Sequence, residues 1–356
     1  MILCERLSSV LDQWSIFGLL AAFLVAAIMV LFSGLRMTDL ADKLADRTGL
    51  GEAIAGAVLL GAATSLSGTI VSITSAHDGL ASLAYSNSIG GIAAQTAFLA
   101  IADITYRKAN LEHAAAELAN VFQSIVLIIL LTLPLLAINM KEFTVLAIHP
   151  VSFVIPVVYV AALVSTRSLR ENPMWRPVST RDSRTDTPDQ EDAETGQKST
   201  LRLFMEFGFL MVVMGLAGWV IAKTAAEVTG RLELPETLVG ALATAVVTSL
   251  PELVTTLAAV RRGALQLAVG GIIGGNTFDT LFLSAADVAY RDGSLYHAAS
   301  TGDYFWTATS ILMTGILLAG LVLRQRAGPG RIGFESAMIL VVYGGAVALQ
   351  ATSGSG

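Results

Sequence analysis

The sequence predicts an all-α membrane protein of about ten transmembrane helices arranged as two inverted five-helix repeats. Three observations predict it. The chain is 356 residues long, 54% hydrophobic and only 14% charged, whereas soluble domains carry about 25% charged residues. Ten apolar runs of spanning length follow one another, and a helix needs about 20 residues to cross roughly 30 Å of hydrocarbon. Finally, Glu52–Arg107 and Glu236–Arg291 align without a gap at an offset of 184 residues, with 19 identities in 56 positions. A duplicated unit with polar residues inside apolar spans is the pattern of secondary transporters.

The runs are 16–35, 52–75, 82–105, 119–139, 144–166, 203–225, 235–260, 265–290, 304–323 and 332–350. The first is taken as a retained helix and not a leader, because it is long for a leader's apolar core and Arg36, Lys43 and Arg47 follow it. Residues 167–202 change character: Pro173, Pro177 and Pro188 stand among many Asp, Glu, Ser and Thr with no apolar run. They read as a flexible linker between a first unit, 1–166, and a second, 203–356. Each unit holds five spans. Five is odd, so the second unit enters the membrane from the other side and the duplication is inverted. Loops on one side hold 5 of the 22 Lys and Arg, and loops on the other hold 17. The positive-inside rule therefore places the linker in the cytoplasm and both termini outside, in a multi-pass protein of the plasma (inner) membrane.

The repeat covers spans 2 and 3 and spans 7 and 8. Their connections, His77-Asp78-Gly79 and Arg261-Arg262-Gly263, are short and predict tight antiparallel hairpins. Small residues such as Gly56, Gly61, Gly90 and Gly91 favour close helix approach in lipid. In the second copy the seventh span reads Thr248-Ser249-Leu250-Pro251-Glu252. Pro251 has no N–H and its ring disrupts the preceding turn. Backbone carbonyls freed at membrane depth persist only beside a cavity, an ion or other protein. A mid-span Glu costs about 2.5–3.5 kcal/mol on insertion scales. The eighth span carries Gly274-Gly275-Asn276-Thr277-Phe278-Asp279. Spans 7 and 8 run antiparallel, so Glu252 and Asp279 meet at similar depth. Their oxygens, with hydroxyls and carbonyls, suit a hard cation such as Ca2+ or Na+.

The pair Thr-Ser-Leu-Pro-Glu-Leu-Val and Gly-Gly-Asn-Thr-Phe-Asp resembles the α-repeat of the calcium/cation antiporter superfamily, particularly the sodium/calcium exchangers. The resemblance implies inverted five-helix units, ions held by spans 2, 3, 7 and 8, and a pair formed by spans 1 and 6 that moves across them. Residue by residue, it implies Thr248, Ser249, Glu252 and Asp279 as second-repeat ligands, with Gly275 offering only its backbone where the family often has serine. In the first repeat Thr64 and Ser65 match. The Pro-Glu pair is Ser67-Gly68, the family's Asn or Asp is Gln95, and the Asn before it is Ile92. Both mid-membrane acids thus come from one half. Two carboxylates neutralise one Ca2+ but leave less charge for three Na+, which points toward exchange for H+ or for fewer Na+. Restoring an acid with Gly68→Glu is expected to strengthen divalent binding.

The expected function is a cation antiporter, Ca2+ against Na+ or H+, working by alternating access. The alternatives are a monovalent Na+/H+-type exchanger and a transport-dead paralogue that senses ions, which the losses at positions 68 and 95 favour and the intact second repeat disfavours. An enzyme is not expected, since no nucleophile–base pair or metal-protease motif occurs. No cofactor is expected beyond the transported cations. The partners are small inorganic cations and the bilayer; no basic, aromatic-interleaved patch suggests nucleic acid. Cys4 is the lone cysteine, which excludes an intrachain disulfide. Asp103 and Asp287 precede Arg107 and Arg291 by four residues, a favourable ion-pair spacing. Glu52 and Glu236 start spans 2 and 7, where the helix dipole favours an acid. His77 and Glu206 are expected to be solvated, and Pro134, Pro150 and Pro156 to kink packing helices.

Overall fold

Two 33-residue helices, α1 (Ile16–Thr48) and α7 (Thr200–Leu232), lie along each other on one flank of the molecule. Large apolar side chains cover their outer faces; Phe17 is 85% exposed and Phe209 66%, as lipid-facing helices require. Between them run the remaining elements of the computed structural model, which describes residues 13–48, 64–106, 108–115, 117–178, 180, 199–326, 328 and 332–353. They are α2 (Leu66–His77), α3 (Ala81–Thr105), α4 (Leu111–Ala114), α5 (Leu118–Asn139) and α6 (Val151–Glu171) in the first half. The second half continues with α8 (Glu236–Leu238), a π-helical turn (Val239–Thr244), α9 (Ala245–Thr248), α10 (Leu250–Arg262), α11 (Leu265–Asp279) and α12 (Leu281–Ala289). It ends with α13 (Leu295–Ala298), α14 (Thr301–Leu323) and α15 (Phe334–Ser353).

Seven described helices are each long and apolar enough to span a membrane, and the bent run 236–262 makes an eighth. The described parts of α2, α11 and α12 are shorter than a membrane span taken one by one. The molecule is an all-helical membrane protein of two inverted five-helix repeats. Helix α3 is its axis: 83% of its most apolar window is buried, against 28% for α1 and 22% for α7. The Trp14 carbonyl, before α1, accepts from Arg231 at the end of α7. Thr180, in the connection between the halves, bonds His113 of α4 at 2.9 Å. Trp14 thus sits at the end of α7, away from its start at Thr200; the side of Trp14 is the opposite face and the side of Thr180 the linker face.

The hairpins form as the small connections predict. Gly79 (φ 81°) and Gly263 (φ 85°) take the left-handed conformation that ends a helix within one residue. Glycine also sets the contact between the outer pair and the core. A Cβ on Gly34 of α1 would lie 2.6 Å from the Pro251 ring, and one on Gly218 of α7 would lie 2.8 Å from the Ser67 carbonyl. These two contacts are related by the 184-residue offset at both ends. Gly218→Val is expected to push α7 off α2 and cost about 1–3 kcal/mol, seen as a lower thermal midpoint. Gly215→Ala, which has open space around it, serves as the control and should leave the midpoint unchanged.

Several local expectations are corrected. Span 5 does not start at 144: Leu146 and Ala147 have positive φ (56° and 62°), a one-residue bridge joins Val145 to Ile148, and helix begins after Pro150, which caps α6 instead of kinking it. Helix also runs into the expected linker at both ends, to Glu171 and from Thr200. Asp287 does not pair with Arg291, whose guanidinium binds the carbonyls of Val288 and Leu146. Its carboxylate instead accepts from the N–H groups of Leu295 (2.9 Å) and His149 (2.7 Å), because buried backbone donors at a helix start need an acceptor more than a surface arginine does. Asp103 likewise accepts from Leu111 and Gly333, while Arg107 lies outside the described residues. Glu236 caps α3 by accepting from Leu83 N–H at 3.2 Å; Glu52 lies outside the described residues. Glu206 is not simply solvated: it pairs with Arg36 of α1 at 2.8 Å, tying the outer helices together near the linker face.

Candidate functional site

Helix breaks place the site. At Ser249 the backbone leaves α geometry (φ −95°, ψ 4°), and the segments on either side meet at 45°. The preceding π turn and Pro251 both favour the break, since each removes regular i→i−4 bonds. Ser65 breaks the helix in the same way (φ −85°, ψ 0°) with Ser67 where the second copy has proline. The break thus belongs to the duplicated geometry, and proline reinforces only one copy of it. A third break follows Asp279, at Thr280 between α11 and α12. Its equivalent in α3 stays helical through Thr96.

These breaks bring the predicted residues together. Thr64, Ser65, Gln95, Thr248, Ser249, Glu252 and Asp279 are all buried, each at most 7% exposed. Asp279 accepts from Ser65 Oγ at 2.7 Å and from Gln95 Nε2 at 2.6 Å. Gln95 Nε2 also reaches Ser249 Oγ at 3.3 Å. Ser65 with Asp279, and Ser249 with Gln95, are equivalent pairs under the offset, so the two repeats clasp each other by the same contact made twice. Glu252 accepts from the Thr64 hydroxyl. Its Oε2 and the Gln95 Oε1 are buried without a hydrogen-bond partner, an expensive state unless something positive approaches them. A cavity of about 10 Å3, close to the room one water-sized particle needs, is lined by Ser65, Gln95, Thr248, Ser249, Glu252 and Asp279 among others.

A second, larger cleft of about 100 Å3 reaches Glu252 from the linker face. The linker-side parts of α6, α10 and α11 wall it, with Thr166, Thr255 and Gly270 among its lining. Gly275 lines this cleft and not the small cavity. A Cβ on Gly275 would stand 3.3 Å from Gln95 Oε1, so the missing side chain there leaves Gln95 room. Thr248 turns its hydroxyl back to the Thr244 carbonyl (2.9 Å), which leaves its lone pairs toward the cavity.

Sequence reasoning missed five contributors. Ser88 holds the Asp279 carbonyl at 2.8 Å, at the break. Asn87 donates to the Gly68 carbonyl (3.1 Å) and accepts from Thr244 (2.7 Å), joining the repeats at the cavity wall. A ladder of positions 87, 91 and 95 on one helix face was the available signal. The other three are aromatic. Phe282 fills the space beside Gly68, where a Cβ would meet its ring at 2.8 Å. It packs edge-on to Phe278, which packs edge-on to Tyr159 of α6, making a wall from the cavity to the cleft. Among the described residues no group of three or more His, Cys, Asp or Glu forms a metal cluster; the polar lining of the small cavity is two acids and neutral groups.

Residues 18–167 and 202–352 match the family described as sodium/calcium exchanger protein. The chain belongs to that family. It is 31% identical over 128 residues to the inner membrane protein YrbG of Escherichia coli, covering 36% of this chain and 38% of that one. It is 30% identical over 116 residues to the sodium/calcium exchanger MaX1 of Methanosarcina acetivorans, covering 32% of each. The matched segments therefore span about a third of these relatives. The fold is similar to that of the sodium-calcium exchanger NCX_Mj soaked with 2.5 mM Na+ and 10 mM Sr2+ (TM-score 0.59, 16% identity, 94% of this chain and 99% of that one). It is also similar to native YfkE (TM-score 0.64, 13% identity, 97% and 96%).

Proposed function

We propose that this member of the exchanger family is a secondary active antiporter that moves a cation, Ca2+ in the leading reading, against H+ or Na+. Thr64, Ser65, Gln95, Thr248, Ser249, Glu252 and Asp279 hold the ion, and Gly275 shapes the way to it. The observation that carries the reading is the convergence of two buried acids, with Glu252 Oε2 and Gln95 Oε1 lacking donors, on a cavity of ionic size. Hard oxygen ligands of this kind suit Ca2+ or Na+. The cleft from the linker face to Glu252 is the access route in one state of an alternating cycle. The outer pair α1–α7, resting on Pro251 and Ser67 through glycines, is the element that shifts to open the other. With the linker in the cytoplasm, as the Lys and Arg distribution indicates, the structure faces inward.

One feature favours the runner-up, a monovalent exchanger. Phe282 fills the space where a first-repeat acid would sit, and divalent affinity grows with ligand charge. Measuring 45Ca2+ uptake into proteoliposomes separates the two. The leading reading expects uptake under an imposed Na+ or pH gradient. No Ca2+ movement under either gradient, with 22Na+ movement under a pH gradient, would establish the runner-up instead.

A further inference from the structure

Away from the ion site, Asp103 and Asp287 do the same work at the two faces. Each binds the N–H of the residue eight positions on, Leu111 (2.7 Å) or Leu295 (2.9 Å). Each also binds an N–H from the other half, Gly333 (2.9 Å) or His149 (2.7 Å), and those two residues are again 184 apart. Around this common frame the corners differ. At the opposite face Ser152 Oγ lies 2.6 Å from Asp287 and 2.9 Å from the Tyr296 hydroxyl, and Val151 precedes it. At the linker face the equivalents of Tyr296, Val151 and Ser152 are Glu112, Glu335 and Ser336. The protein thus builds this corner once with no acid at these two positions, its further acid being Glu142 at the Ser294 N–H (3.2 Å), and the fold does not require acids at 112 and 335.

Both carboxyls are 1% exposed and Asp103 is fully buried. Glu112 Oε2, both Glu335 oxygens and Asn110 Oδ1 have no hydrogen-bond partner. Ser336 reaches Glu112 Oε1 only at 3.5 Å. Of the other charged groups around the corner, His113, Arg324 and Glu117 have partners of their own. His113 of α4 bonds the Arg324 carbonyl (2.6 Å) and Thr180. Arg324, at the end of α14, directs its guanidinium to the carbonyls of Val178 (2.7 Å) and His113 (3.2 Å). Arg326 offers its carbonyl to Asn110 N–H. Glu117, before α5, pairs with Arg170 at 3.0 Å. Helix α11, packed on α4, has no charged side chain from Leu265 to Phe278. Among the described residues no basic group forms an ion pair with Asp103, Glu112 or Glu335, and no three acids close on a metal-sized centre.

Asp103 is satisfied by its two N–H donors, but buried carboxyl oxygens left without donors, as on Glu112 and Glu335, are costly. A carboxylic acid and a carboxylate sharing one proton satisfy each other. Burial, with Asp103 and Glu335 close by, holds the Glu112 carboxyl well above the usual carboxylate range. We propose that Glu112 and Glu335 share one proton and so clamp α4 to the start of α15, a latch at the linker face that loosens when the proton leaves to solvent. No other bond forms or breaks. Because α4 packs on α11, whose glycines wall the access cleft, the latch makes the cleft respond to pH on the linker face.

The test uses the full chain in nanodiscs and needs no knowledge of the transported ion, so it stands apart from the flux experiment. The folded chain keeps a proton that the unfolded chain, with Glu near 4.3, has released. The latch's stability is therefore complete below that value and is lost as pH rises through the higher folded value. Between about pH 5 and about pH 8 the native thermal midpoint should fall about 3–6 °C more than that of Glu112→Tyr/Glu335→Val, which copies the opposite corner. Glu112→Gln should flatten the profile in the same direction. The infrared carbonyl band of a protonated buried carboxyl should weaken in the double variant relative to the native protein. Equal pH slopes in native and double variant, or an unchanged band, would overturn the latch. Stabilisation of the native chain by Ca2+ that the double variant lacks would also overturn it, making the cluster a cation site.

Discussion

Replacing Glu252 by Gln is expected to abolish exchange while leaving the fold intact. The side chain is buried, takes one hydrogen bond from Thr64, and leaves Oε2 without a donor. Glutamine keeps the shape and the Thr64 contact. It removes the charge and places N–H donors where a cation would bind. Breaking a buried charge interaction by removing one partner costs about 3–5 kcal/mol, or roughly two to three and a half powers of ten in affinity. Flux in proteoliposomes should fall to background, and the thermal midpoint should stay at or above the native value because an uncompensated buried charge is gone. Native-rate transport by the variant would remove Glu252 from the ion path.

The second large effect concerns the first-repeat position that lacks an acid. Gly68→Glu alone is expected to destabilise the protein by about 1–3 kcal/mol, since even its Cβ would press on the Phe282 ring at 2.8 Å. The simple gain in divalent binding expected from the sequence therefore needs a second change. With Phe282→Ala the new carboxylate has room, and a third acid joins Glu252 and Asp279. Ca2+ affinity should rise about tenfold or more, since each 1.4 kcal/mol is a factor of ten and Ca2+ sites strengthen with ligand charge. Isothermal titration on the purified double variant reads this directly. Unchanged affinity would mean that position 68 does not face the ion.

Much of this was legible in the chain because the duplication is a physical record. The identity of Thr64-Ser65-Leu66 with Thr248-Ser249-Leu250, and an odd number of spans per half, led to the inverted architecture and to the residues that converge. What stayed hidden depended on the third dimension. Phe282 looked like an ordinary apolar residue until its ring was seen occupying the space beside Gly68. Ser88 gave no sign that it would brace the break after Asp279. The pairing guessed for Asp287 with Arg291 had good helical spacing, yet the buried N–H groups of His149 and Leu295 outcompeted a solvated guanidinium. Periodicity locates a residue along its own helix but says nothing of a donor arriving from 138 positions away in the other half.

The clasp between Gln95 and Asp279 has a consequence for ancestry. An inverted duplication descends from a small protein that could pair with a second copy of itself in opposite orientation. Here that road back is closed. Two first halves would bring together hydroxyls and two glutamines with no acid at all, and two second halves would crowd four acids with no amide to steady them. The halves have specialised into donor and acceptor, so at this clasp neither can stand in for the other.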